Sequence, residues 1–514
     1  MKKKIVALLL VFISLFIVSC DNSKNIDFEE LYPKYDIYYQ IFIRSFADSD
    51  GDGIGDFNGI TENLDYLEDL GVTAIWLLPY NDTDTDWNSY HGYRVKNYYE
   101  VNSEYGTMED LENLIQTAKS KGIKIVMDFV INHTADTHPW FIDAKKSNSP
   151  FRDYYIWLND STAFESFAGG MKDLNLNNTK VVEEIKNIIK FWIEKGIEGF
   201  RFDAVKHFFI GDPGTHPSAG LIKNYTFLRE LQNYAKTINP NIYFVGEMFE
   251  YDYLAYNQYY IGLDSLFDFY TADQIWSKIG KGTSIYQLTS NIKRAFDSYQ
   301  KYNPDYIPAV FLSNHDIDRI ASKEGYTGFN SLGKLKVSAS LMLTLPGSPY
   351  VYYGDEIGMY GIRYEGDNLT GQGPIYDQYR RSPFLWGDST YQTTWLNPYG
   401  NSHSSKSLKD QKDDENSLYN HYRTLMNLRK NTPALRYGNY FELWKDSKDL
   451  YQGYIRYFKH EDFEQALLII HNLYTDSIEL DVEHQNILYG SLNLEGYSTV
   501  ILEIDPTKLN EYIK

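Results

Sequence analysis

The stretch "GFRFDAVKHF", Gly199 to Phe208, sets Arg201, Asp203, Lys206 and His207 into an apolar run that reads as a buried strand. Buried charge is costly unless it is paired or used. Three further apolar runs end in the same way. "DFVINH" carries Asp128, Asn132 and His133, "GEMF" carries Glu247, and "SNHDIDR" carries His315 and Asp316. Asp203, Glu247 and Asp316 therefore stand at the ends of three separate strand candidates. No GxSxG elbow, phosphate loop or nearby cysteine accompanies them. Paired carboxylates without those devices suit glycoside hydrolysis, one as nucleophile and one as proton donor around an oxocarbenium-like transition state. An adjacent arginine such as Arg201 would keep a carboxylate ionised and oriented. Strand-end Asp and Glu also serve metal-dependent hydrolases, so both classes stand at this point.

A second constellation is "DSDGDGIGD", Asp48 to Asp56. Asp48, Asp50, Asp52 and Asp56 recur at short spacings with glycines between them, which suits a hard, oxygen-ligated cation such as calcium. Gly59 stands where an EF-hand would carry its bidentate glutamate, so the loop is not an EF-hand. An Asp/Gly-rich turn without metal is the competing reading.

Such residues need a scaffold that gathers strand ends. From Tyr35 onward short apolar runs alternate with amphipathic helical patterns: "DIYYQIFI", "VTAIWLL", "IKIVMDFV", "EGFRFDAV", "IYFVGEMF", "DSLFDFY", "AVFLSN" and "YVYYGDEI". Between them, Thr107 to Ser120 opens on a Thr107/Asp110 capping box, and Asn178 to Lys195 is closed by Gly196. This alternation predicts a (β/α)8 TIM barrel over 35–133 and 178–432, with its active site at the C-terminal strand ends. Residues 134–177 have little periodicity and are too many for a simple connection, which predicts an inserted domain after strand 3. Past Pro433 the helical pattern stops. Runs such as "QALLIIHNLY" and "STVILEI" predict a C-terminal antiparallel β-sandwich domain over 433–514.

In order along the chain, "DFVINH", "GFRFDAVKH", "GEMF" and "FLSNHD" resemble the four signature regions of the α-amylase family, glycoside hydrolase family 13. "YHGY", Tyr90 to Tyr93, and "MKDLN", Met171 to Asn175, match two further blocks. The resemblance implies Asp203 as the nucleophile that forms a covalent glycosyl-enzyme, Glu247 as general acid/base, and Asp316 as the carboxylate that binds the distorted sugar. It implies that Arg201 contacts Asp203, that His133 and His315 hydrogen-bond sugar hydroxyls, and that His91 and Tyr93 bind the same ring. Asp128 would lie at the base of the pocket, and Lys206 and His207 complete the substrate-binding set. The aspartate loop resembles the first-loop calcium site of oligo-1,6-glucosidases, where the carbonyl of Ile54 adds a ligand to a structural Ca2+. Asn132 and the His207 carbonyl match an interdomain calcium site of classical amylases, for which the inserted segment offers no identified ligand.

Specificity signals point two ways. Ala204, Lys206 and His207 look like enzymes that cut α-1,4 bonds, whereas Asp173 and "RSPFLW", Arg381 to Trp386, resemble the oligoglucosidases; Lys172 departs from the usual proline. The expected activity is that of an intermediate-type α-amylase on starch, glycogen or maltooligosaccharides. The alternatives are an oligo-α-1,6-glucosidase or transglycosylase, or a non-catalytic glycan-binding lipoprotein, against which the three retained carboxylates speak.

The bulk numbers agree with a glycan as partner. A formal charge of −21 argues against nucleic acid, and 47 tyrosines and 9 tryptophans supply flat faces for sugar rings. Lys2 to Lys4, the apolar run from Ile5 to Val18 and then Ser19-Cys20 have the layout of a signal peptide, too short to span a membrane. "IVSC" resembles the bacterial lipobox. Residues 1–19 are expected to be removed, Cys20 to be lipidated, and 20–34 to form a polar tether. Export to the bacterial cell envelope on a lipid anchor follows, with no protein partner implied.

Overall fold

The computed structural model describes residues 26–84, 89–209, 217–328, 330–364, 376–396 and 406–514; the signal segment and Cys20 lie outside them. Eight parallel strands close into a barrel: β1 (Tyr38–Ile41), β2 (Ala74–Leu77), β3 (Lys124–Phe129), β4 (Gly199–Phe202), β5 (Tyr243–Gly246), β6 (Ser265–Phe267), β7 (Ile307–Phe311) and β8 (Ser348–Tyr352). Each pairs with its neighbours in sequence, and β1 closes the ring on β8. Every residue of β4 and β5 is buried, as parallel strands wrapped by helices require. Register sets the functional residues level with one another. Asp128 of β3 pairs with Arg201 of β4, and Phe202 of β4 pairs with Gly246 of β5. Asp203 and Glu247, one residue further along each strand, therefore leave the barrel side by side.

The helices that hold this register carry clear signals. Met108–Ser120 begins at the Thr107/Asp110 capping box. Thr179–Glu194 is capped by Asn178 and buries Val181, Ile185, Ile188, Ile189 and Trp192, one stripe of a 3.6-residue period. Gly196 takes φ +102° just past its end, a left-handed stop that favours glycine.

Between β3 and that helix the chain leaves the barrel. His133–Ala135 and Met171–Asp173 form a short antiparallel hairpin, with helix Pro139–Ala144 and the turn Arg152–Tyr154 folded between its strands. At the C-terminal end, β9 (Tyr440–Leu443), β10 (Tyr451–His460), β11 (Phe463–Asn472), β12 (Asn486–Tyr489) and β13 (Thr499–Ile504) make a sheet in the order β9-β10-β11-β13-β12. A two-stranded sheet, Ile478–Glu479 with Asn493–Leu494, pairs beside it, and Leu480 and Leu494 pack with Ile455, Leu468 and Leu502 in one core.

Two expectations need correction. One further helical turn, Pro433–Arg436, precedes this sheet. The stretch read as a tether over 20–34 is ordered from Asp27 onward: Asp27 caps helix Phe28–Leu31, and the Phe28 ring lies 5.3 Å from Phe458 and 5.1 Å from Phe463. The charged residues around Phe28 and Tyr32 concealed two aromatic side chains with a surface to pack against.

Candidate active site

Arg201, only 1% exposed, is the hub of the barrel mouth. Its Nη1 donates to Asp203 Oδ1 at 2.7 Å and to Asp128 Oδ1 at 2.8 Å, while Nη2 stands 3.5 Å from Glu247 Oε2. The guanidinium lies 5.1 Å from the Trp76 ring, which backs it with a flat apolar face. One fixed cation therefore orients the Asp203 carboxylate and leaves its other oxygen free for chemistry. Directly after it, Ala204 adopts φ 50° and ψ 41°, a left-handed conformation that costs a non-glycine residue roughly 1 kcal/mol. The turn it makes lets the Val205 N–H bond the Glu247 carbonyl, locking the two strand ends together.

The carboxyls around this hub are driven apart. Burial pushes Glu247 up to about 8; Arg201 opposes that, and the negative charges of Asp203 and Asp316 reinforce it. At neutral pH it keeps its proton. Burial alone would also raise Asp316, but His315, Arg381 and Arg201 outweigh it and hold this carboxyl below the usual range. His315 Nε2 lies 3.0 Å from Asp316 Oδ2, and Arg381 Nη2 lies 3.0 Å from Oδ1. Acidic groups in one site pushed in opposite directions mark out a proton donor and an obligate anion.

The histidines are neutral donors. Gln40 donates to His315 Nδ1 at 2.8 Å, which leaves the proton on the Nε2 that faces Asp316. The Tyr93 N–H donates to His91 Nδ1, and His133 Nε2–H donates to the Tyr93 carbonyl. Burial lowers all three below the ordinary imidazole value, His91 to about 3.

A cavity of 440 Å³ opens onto these groups. Asp203, Glu247 and Asp316 line it together with His91, Tyr93, His133, Lys206 and His207. Asp128, Arg201 and His315 are not among its lining residues: Arg201 contacts Asp203, as the resemblance implies, and Asp128 and His315 sit behind the lining. Asp128 and His315 are 0% exposed, and their polar atoms are engaged by Arg201, Tyr93, Gln40 and Asp316. They position the residues that line the cavity. Phe167, Met171, Phe249, Asp377 and Arg381 also line the cavity and were not anticipated there. Phe249 lies two residues beyond Glu247 and was within reach of the motif. Met171 and Arg381 open the blocks "MKDLN" and "RSPFLW", yet nothing in either block shows that it reaches the cavity; Phe167 comes from the inserted segment, and Arg381 meets Asp316 across 65 residues of chain.

At the edge of the barrel, Asp48, Asp50 and Asp56 bring carboxylate oxygens within 4.8 Å of one another. Asp52 is not in this group, a correction to the four-aspartate reading; one of its carboxylate oxygens accepts the Ile54 N–H at 2.7 Å, much as Asp48, Asp50 and Asp56 accept other backbone N–H groups of the loop. Its carboxyl is raised by burial and by the neighbouring charges of Asp50, Asp48 and Asp56. Hard oxygen donors under mutual repulsion fit a calcium ion.

Comparison with known proteins points the same way. A family profile described as "Alpha amylase, catalytic domain" matches residues 40–438. Alpha-amylase 3 of Dictyoglomus thermophilum is 37% identical over 508 residues, covering 93% of this chain and 95% of that protein. An oligo-1,6-glucosidase of Parageobacillus thermoglucosidasius is 31% identical over 518 residues, covering 86% and 90%. The crystal structure of an alpha-amylase from H. orenii superposes with a TM-score of 0.79 at 32% identity, covering 92% of this chain and all of that one.

Proposed function

The chain belongs to the α-amylase family of glycoside hydrolases, and from that premise we propose that it cleaves α-1,4-glucosidic bonds in starch, glycogen or maltooligosaccharides with retention of configuration. The observation that carries this reading is the side-by-side placement of an oriented, ionisable Asp203 and a protonated Glu247 at matched register on β4 and β5. In the first step Asp203 attacks the anomeric carbon while Glu247 gives its proton to the departing glycosidic oxygen, leaving a glycosyl ester on Asp203. In the second, the Glu247 carboxylate takes a proton from water as that water attacks the same carbon and frees Asp203. Asp316 and the neutral donor His91 hold the sugar's hydroxyls as its ring flattens, while His133 braces the Tyr93 carbonyl beside them.

The α-1,4 preference is supported by Ala204, Lys206 and His207 and by the 37% identical relative named alpha-amylase. The relative named oligo-1,6-glucosidase keeps an α-1,6 reading in play. Product analysis on starch and on isomaltose separates them: the proposal expects maltooligosaccharides from starch and little turnover of isomaltose, and the reverse preference would overturn it.

Asp48, Asp50 and Asp56 would hold a structural Ca2+, with the carbonyl of Ile54 as a further ligand. Bound there, the ion would tie the loop after β1 together by neutralising its acidic cluster. For the export segment the proposal is processing at Cys20, lipidation of that cysteine and residence on the bacterial cell envelope.

A further inference from the structure

The ordered N-terminal segment bears on how an anchored enzyme would stand on its membrane. From Asp27 to Asp36 it is stapled to the end of the barrel opposite the catalytic mouth. Lys34 Nζ lies 2.6 Å from Asp264, which immediately precedes β6, and Lys124, the first residue of β3, lies 2.8 Å from Asp36. Arg436 reaches both the Tyr35 carbonyl and Glu29. The Phe28 ring packs on Phe458 and Phe463, and Tyr32 OH meets His460 Nδ1 at 3.1 Å. Ile26 shares a surface hollow with Lys430 and Asn431, at the C-terminal end of helix Leu418–Lys430. In this fold that helix end lies level with the N-terminal ends of the strands. The described chain thus begins at the bottom rim.

Building on the proposed lipidation of Cys20, we infer that the bottom rim of the barrel is the membrane-facing surface and that the catalytic mouth is held open to the medium. Only six Cα–Cα steps separate Cys20 from Ile26, a reach of about 22 Å when fully extended. The barrel wall alone is longer: helix Thr179–Glu194, at 16 residues, spans about 24 Å, and the inserted segment lies beyond its mouth end. An anchor leashed at Ile26 does not reach past the wall to bring the mouth against lipid. The partner of this rim is a phospholipid surface approached through the tether. The net charge of −21 offers no general attraction to anionic headgroups, so the leash and its docking set the orientation. A polymeric glucan then meets the site from the side away from the membrane.

The test uses the full-length protein recovered from membranes and placed in phosphatidylethanolamine–phosphatidylglycerol vesicles that carry a fluorescent acceptor on a headgroup. Cys20 is the only native cysteine, so a single introduced thiol takes a donor dye once Cys20 is lipidated. Lys301→Cys reports the bottom, next to β7, and Leu158→Cys, at a residue 65% exposed in the inserted segment, reports the mouth. Energy transfer severalfold higher from position 301 than from 158 is expected; equal transfer, or more from 158, overturns the orientation. Phe28→Ala with Tyr32→Ala should free the segment back to Lys34, which Asp264 still holds, lengthening the leash to about 50 Å. That should erase the contrast without changing kcat/KM on a soluble maltooligosaccharide; a contrast that survives overturns the docking argument. Reaction of Cys20 itself with maleimide in the membrane-derived wild type would instead refute the anchor, and this inference with it.

Discussion

Glu247 and Asp316 line one cavity, yet burial raises the first, while His315 and two arginines outweigh burial at the second and lower it. Replacing Glu247 by Gln keeps its shape and removes the transferable proton, so hydrolysis of starch should fall by about 10²–10⁴-fold. A substrate with a good aryl leaving group should lose much less in its first step, and equal losses on both would contradict the role of acid. The wild-type kcat/KM should fall as pH rises through about 8, where free Glu247 gives up its proton. Stability carries the same mark. Because the folded value lies above the unfolded one, near 4.5, the contribution of protonated Glu247 is fully present below that value and is lost as pH rises through about 8. Glu247→Gln should therefore lose less melting temperature than wild type between pH 5 and pH 9 in a thermal scan. The three carboxylates and Arg201 were legible in the sequence because each sits near the C-terminal end of an apolar strand run or just past it. Whether a residue touches sugar or braces one that does was not legible for Asp128 or His315, since that depends on which of their polar atoms are already engaged.

At the scale of elements, all eight barrel strands were visible as short apolar runs because parallel strands are buried on both faces. The segment 27–34 was misread because two aromatic rings carry its burial and no periodicity does. The aspartate loop was legible as a candidate cation site, but the separation of Asp52 from the other three carboxylates was not, because it is set by how the loop folds and not by spacing along the chain. If the loop binds calcium in the folded state alone, excess calcium should stabilise the protein by mass action, about 2.7 kcal/mol at a hundredfold excess over Kd. Asp50→Ala should remove that response in a melting experiment. A wild-type melting temperature indifferent to both calcium and chelator would contradict the site.

For the whole molecule, the barrel sets the carboxylates, the inserted segment lays Phe167 and Met171 over them, and the C-terminal sheet receives the N-terminal segment at the far end. The order of these parts was legible from alternation and its interruptions; their contacts were not, because Arg381 and Phe28 find partners far along the chain. The central claim is that Asp203 attacks carbon directly. A retaining enzyme keeps its working carboxyls about 5–5.5 Å apart, whereas an inverting one leaves about 6.5–9.5 Å for a water. Asp203 and Glu247 follow a paired register on neighbouring strands, whose spacing of about 4.8 Å favours the shorter distance. The direct measurement is the proton NMR spectrum of newly released maltooligosaccharide, recorded before mutarotation. The account predicts the α-anomer at the earliest times; a β-anomer there would contradict Asp203 as nucleophile.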